Sequence, residues 1–134
     1  MVQQRHNEMD ELRVLIVDDS PTEALALSSV LQANGFTALI AHSAEDGIAM
    51  ADREVPDVIL MDIVMPGMNG FQATRQLGRQ PRTATIPVIV VSTKNLETDR
   101  IWALRQGARD YVVKPVEELA LLRAIQGVLA TPTN

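Results

Sequence analysis

Asp18, Asp19, Asp62 and Lys114 are the residues of this chain best placed to do chemistry, and each follows a short apolar run. The two adjacent acids come after Val14-Leu15-Ile16-Val17, Asp62 after Val58-Ile59-Leu60-Met61, and Lys114 after Tyr111-Val112-Val113. If these runs are parallel strands, all four side chains converge on one edge of one sheet, where open α/β folds place their ligand sites. Gathering acids is costly: two carboxylates about 4 Å apart repel by roughly 4 kcal/mol at an effective dielectric of about 20. Such a cluster persists where cations are held, and Lys114 with a divalent ion is the natural pairing.

Mg²⁺ suits this donor set, since it prefers oxygen ligands and takes one or two carboxylates plus a phosphate oxygen. Mn²⁺ is the alternative with similar preferences. Asp19 and Asp62 are the expected direct ligands with the Val64 backbone carbonyl, and Asp18 acts through water. A carboxylate beside such an ion and an ammonium group can attack phosphorus and become an acyl phosphate. Ion and lysine then spread the charge on the phosphoryl oxygens during an in-line transfer. Ser92 has its hydroxyl at the right strand end to donate to one of those oxygens. Its inward movement would vacate space for the Tyr111 ring, coupling a local charge to a two-state surface.

The elements that must position these residues are legible. Strands are expected at Arg13–Val17, Ala38–Ala41, Asp57–Met61, Pro87–Val91 and Asp110–Val113, mostly continuous apolar runs suited to a parallel sheet covered on both faces. Ser20-Pro21 opens a first helix and Asn34-Gly35 closes it, with Ala24, Leu27 and Leu31 facing inward. Ser43 caps a second helix, with Asp46 a weak capping-box partner. A third runs from about Gly70 to Gly78, a fourth over about Glu97–Gln106 and a fifth from near Glu117, with Leu122, Ile125 and Leu129 as its buried stripe. Five βα units predict an α/β three-layer (βα)5 sandwich of flavodoxin-like type, its parallel five-stranded sheet ordered 2-1-3-4-5.

The 134 residues make one domain, read as a leader over 1–11, a folded unit over 12–130 and a tail over 131–134. With one Trp, one Tyr and two Phe, the core must be aliphatic. A net charge of −5 argues against nucleic acid as a partner. The absence of cysteine suits the cytoplasm, and no apolar stretch of about 18 residues points to membrane insertion.

The runs Leu15-Ile16-Val17-Asp18-Asp19-Ser20, Leu60 through Gly70 and Tyr111-Val112-Val113-Lys114-Pro115 resemble the signature of response-regulator receiver domains of two-component systems, the family of the chemotaxis regulator CheY. The resemblance implies phosphorylation at Asp62 by a CheA-like histidine kinase or phosphotransfer domain. It also implies Asp18 and Asp19 as the acidic pair, Ser92 and Tyr111 as switch residues, Lys114 as the signature lysine, and a cis Lys114–Pro115 bond. An effector would dock on the face formed by the fourth helix, fifth strand and fifth helix. Ser20-Pro21-Thr22-Glu23, Gly70 through Leu77 and Arg105 through Tyr111 are similar to regulators of chemosensory systems controlling type IV pili and twitching motility. Val64 and Lys94 depart from the chemotaxis pattern beside the path of a hydrolytic water, and Thr93 is bulkier than the usual small residue there.

Rival readings remain. A phosphate sink for a shared kinase uses the same site without an effector. An aspartyl-nucleophile phosphohydrolase of haloacid-dehalogenase type wants a second acid where Val64 stands. A nucleotide-binding module wants a Gly-rich loop after the first strand, and Asp18-Asp19-Ser20-Pro21 is not one. Ile101 and Leu104 are expected to face inward, leaving Trp102 partly exposed for a partner. His6 and His42 are read as solvated, and the scattered Met as core filling.

Overall fold

Five apolar runs become five parallel strands in a computed structural model that describes residues 12–130. The leader and tail expected over 1–11 and 131–134 lie outside the described residues. In chain order the elements are β1 (Arg13–Val17), α1 (Pro21–Ala33), β2 (Thr37–Ala41), α2 (Ala44–Glu54), β3 (Val58–Asp62), α3 (Gly70–Leu77), β4 (Val88–Ser92), α4 (Glu97–Arg105), β5 (Asp110–Val113) and α5 (Glu118–Ala130). The sheet order is β2-β1-β3-β4-β5, as expected.

Successive strand residues point to opposite faces, so each strand feeds two cores. Val14, Ile16, Leu60 and Ile89 pack with Leu27 and Leu31 of α1 and Leu121 and Ile125 of α5. Leu15, Val17, Ile59 and Met61 face the other way, against Ile48 and Ala51 of α2 and Ala73 and Leu77 of α3. A smaller cluster of Ile63, Val90, Ala103, Ala108 and Tyr111 seats α4.

Strand ends decide where the chemistry sits. Val17 lies opposite Met61, Asp62 opposite Val91, and Ser92 opposite Val113. β3 and β4 each sit one residue further along than the sequence suggests, so Asp62 and Ser92 close their strands from within. Pro87 lacks an N–H and cannot open a ladder, although its carbonyl still accepts from Ile59 at 3.0 Å.

Helix boundaries follow side-chain caps. Ser20 Oγ accepts the Glu23 N–H at 3.3 Å, and Ser43 Oγ the Asp46 N–H at 3.0 Å. Beyond α1, Gly35 adopts φ +89°, the left-handed conformation that glycine takes without penalty. Asn69 and Gln72 form a reciprocal capping box at 2.9 Å in each direction, which the sequence reading of α3 did not include.

Two expectations about helix faces need correcting. The buried face of α5 is Leu121, Ala124, Ile125 and Val128; Leu122 is half-buried and Leu129 exposed. In a helix this apolar all round, a 3.6-residue period does not fix the phase. In α4 only Ala103 is buried, while Ile101 and Leu104 are each 41% exposed and Trp102 49%. Small Ala103 lets α4 approach the sheet and turns its larger apolar side chains outward. The Lys114–Pro115 bond is cis.

Candidate functional site

The loop after β1 orients the first acid. Asp18 continues the ladder by donating its N–H to the Ala41 carbonyl at 3.0 Å, and its Oδ1 accepts the Ser20 N–H at 2.9 Å. That turn presses Asp18 inward, where it is 2% exposed, and leaves Asp19 in solvent. Asp62 arrives from the end of β3. Carboxylate oxygens of Asp18, Asp19 and Asp62 all lie within 4.8 Å of one another.

Lys114, directly after β5, reaches back across this edge. Its Nζ stands 3.3 Å from Asp18 Oδ2 and 3.2 Å from Asp62 Oδ1, and it also donates to Glu23 Oε1. Burial opposes its charge, but the hydrogen bond to Glu23 and the charges of Asp62 and Asp18 outweigh that and hold the ammonium well above 10.5. Burial, with the Asp18 charge adding to it, lifts Asp62 above the ordinary 3.8 even though Lys114 pulls it down. One ammonium does not balance this cluster. The donors are all hard carboxylate oxygens, which fits Mg²⁺ or Mn²⁺ and not a thiol- or imidazole-seeking metal.

A raised carboxyl means that ionisation of Asp62 opposes folding. That cost is fully present above the raised folded value and disappears as pH falls below 3.8, where both folded and unfolded forms are protonated. Without divalent ions, Asp62→Asn should therefore stabilise the protein by about 1 kcal/mol at neutral pH. Urea denaturation with EDTA should show that gain shrinking on acidification; a constant gain down to pH 3 would contradict it.

The expected switch residues lie on the two strands that follow β3 across the sheet, Ser92 at the end of β4 and Tyr111 within β5. Ser92 is 1% exposed and its Oγ accepts the Lys94 N–H at 3.1 Å. Tyr111, 7% exposed, donates its hydroxyl to the Lys94 carbonyl at 2.8 Å. Burial pushes the phenol above 10.0, against a hydrogen bond with Ser92 that lowers it. Both residues therefore hold the backbone of Lys94. Val64 lies two residues beyond Asp62 with its side chain exposed. His42 is exposed, yet its Nδ1 lies 3.2 Å from the Asp18 carbonyl.

Sequence reasoning missed Glu23 and the backbone of Lys94. For Glu23 the available signal was Ser20-Pro21-Thr22-Glu23, which reads as a capping box and hides any other use.

The family model for the response regulator receiver domain matches residues 14–126. The chain belongs to the response-regulator receiver family. This receiver is 58% identical over 118 residues to Protein PilH of Pseudomonas aeruginosa, covering 88% of this chain and 98% of that one. It is 35% identical over 116 residues to response regulator PleD of Caulobacter vibrioides, covering 87% of this chain but 26% of PleD. Among solved structures, Vibrio cholerae chemotaxis protein CheY4 superposes with a TM-score of 0.84 at 29% identity, over 89% of this chain and 99% of that one. The receiver domain of the sensor histidine kinase PA1611 from Pseudomonas aeruginosa, crystallised with a magnesium ion in its active-site cleft, gives 0.83 at 27% identity, over 90% and 99%. A receiver's role is phosphorelay signalling, and its partner class is a histidine kinase or phosphotransfer domain. Among the described residues no helix is long and apolar enough to cross a membrane.

Proposed function

We propose that this receiver takes a phosphoryl group onto Asp62 from the phosphohistidine of a CheA-like kinase or phosphotransfer domain, in a cytoplasmic pathway controlling type IV pilus twitching motility. The observation that carries the chemistry is the convergence of Lys114 Nζ on Asp62 and Asp18, at 3.2 and 3.3 Å. An Asp62 oxygen forms the new bond to phosphorus while the P–N bond breaks, and the imidazole leaves with the electron pair. Asp18, Asp19 and Asp62 with the Val64 carbonyl would hold Mg²⁺, which supplies charge neutralisation for the phosphoryl oxygens. Lys114 offers an ammonium to the same developing charge. Water later attacks phosphorus and restores the Asp62 carboxylate.

The added group brings up to about two negative charges and three acceptor oxygens. Ser92, at the end of the strand next to that of Asp62, would donate its hydroxyl to one of them and give up its bond from the Lys94 N–H. Tyr111 holds the carbonyl of that residue, so the change passes toward α4. Ile101 and Leu104 on α4, Val113 on β5 and Leu119 on α5 are exposed apolar side chains, and Trp102 is exposed where α4 meets Phe71 of α3. These exposed apolar side chains support an effector partner over a phosphate sink. The side chain of Val64 puts no acid where the hydrolase reading needs one.

Acetyl phosphate with Mg²⁺ should add one phosphoryl group by intact mass, and borohydride reduction should map it to Asp62. A folded sample that stays unlabelled by acetyl phosphate and by a competent phosphorylated kinase ends this reading.

A further inference from the structure

Glu23 has no part in the chemistry described so far, yet it is tied into the centre of the site. As the third residue after the Ser20 cap, its side chain should reach back to the Ser20 N–H. That N–H is already taken by Asp18 Oδ1 at 2.9 Å. Glu23 is thus released from capping and accepts from Lys114 instead.

An ammonium has three N–H donors and no more. In this structure Asp18, Asp62 and Glu23 use all of them. A phosphoryl oxygen arriving at Asp62 can bond to Lys114 only if a carboxylate lets go. Asp18 is held by the Ser20 N–H and its side chain is 2% exposed; Asp62 is the acceptor itself, at 11%. Glu23, at 51%, is the one free to leave. Beside it lies a largely apolar cleft of about 490 Å³, lined by Leu27, Val30, Thr93 and Pro115 as well as by Glu23 and Lys114, and its open mouth gives the displaced carboxylate an exit to water.

We infer that Glu23 is a displaceable place-holder on Lys114: its carboxylate occupies the third donor until a phosphoryl oxygen takes it, and so it restrains phosphorylation of Asp62. The inference rests on Asp62 being the phosphoacceptor. With acetyl phosphate, the Asp62–phosphorus bond forms, the bond from phosphorus to the acetate oxygen breaks, and acetate leaves with the pair. Lys114 keeps its proton throughout and exchanges one oxygen partner for another. Glu23 acts only through Lys114 and is a positioning residue.

The test compares the parent, Glu23→Gln and Glu45→Gln at saturating Mg²⁺, following acetyl phosphate labelling by intact mass. Glu45 is an exposed acid in the first turn of α2, at the same edge of the sheet. Glu23→Gln should label about three- to tenfold faster than the parent, an advantage that shrinks as salt screens the lost charge. Glu45→Gln should stay near the parental rate. The ¹⁵Nζ resonance of Lys114 should shift in Glu23→Gln and not in Glu45→Gln, a signature that altered helix stability would not produce. Equal or slower labelling of Glu23→Gln would overturn the inference while leaving Asp62 as the acceptor. Equal acceleration by Glu45→Gln would also overturn it, reducing the effect to general charge. A parent that does not label at all removes the acceptor reading and this inference with it.

Discussion

Gly70→Ala is expected to cost about 3 kcal/mol or more of folding stability, a severe effect for one methyl group. A Cβ on Gly70 would stand 2.0 Å from the Asp62 carbonyl oxygen and 2.9 Å from both the Asp62 carbonyl carbon and Ile63 Cα. These are backbone atoms at and just beyond the end of a central strand and cannot step aside as a side chain might. Gly70 is also fixed from both ends, donating its N–H to the Ile63 carbonyl at 2.9 Å and accepting from Thr74 Oγ at 2.8 Å. Relief requires α3 to lift from β3, and the peptide that moves is the one bearing Asp62. Gly78→Ala is the control, because its Cβ would meet nothing nearer than Arg75 O at 3.5 Å. Urea midpoints should fall sharply for the first variant and barely for the second. A parental midpoint for Gly70→Ala would mean that α3 does not approach β3 this closely.

Lys114→Met should slow acetyl phosphate labelling by about a hundredfold or more, the usual consequence of removing a positioned charge from a transfer site. It should also destabilise the metal-free protein by about 2 kcal/mol at neutral pH. The lysine side chain is 12% exposed, and its partners Asp18 and Asp62 are 2% and 11% exposed, so water replaces the ammonium poorly. Because the ammonium is held above 10.5, its contribution is complete below that value and is lost only as pH rises past the raised one. In the variant Asp62 loses the influences that pull it down, so stability should recover on acidification. Adding Mg²⁺ should recover part of it at neutral pH. Parental labelling kinetics in Lys114→Met would remove this lysine from the transfer; indifference of its stability to EDTA and pH would mean that the three acids are not sharing its charge.

The sheet and the convergence of the four charged residues were legible because both depend on simple patterns. Apolar runs of four or five residues suffice for buried parallel strands, and the first residue beyond each run must fall on one edge. Ser20, Ser43 and Gly35 marked helix ends through local chemistry that needs no tertiary context. The remainder was hidden for definite reasons. Glu23 was hidden because the Asp18–Ser20 bond that frees it from capping belongs to a turn that sequence spacing does not describe. Asn69 and Gln72 were masked by the surrounding Pro-Gly-Met. On α4 and α5 the apolar residues are too many to single out a face, and burial there was decided by small Ala103 and by Leu121 instead. Trp102, partly exposed as expected, meets Phe71 edge-on, with ring centroids 6.5 Å apart at 84°.

Ser92 and Tyr111 take hold of opposite poles of one amino acid, the N–H and the C=O of Lys94. Communication through Lys94 therefore runs along its backbone and not its side chain, and nineteen of the twenty residue types could stand at this position without breaking it. Proline alone, having no amide hydrogen, would cut the thread. Evolution is free to alter the charge and bulk at residue 94, tuning how water reaches Asp62, while the wiring beneath is left untouched.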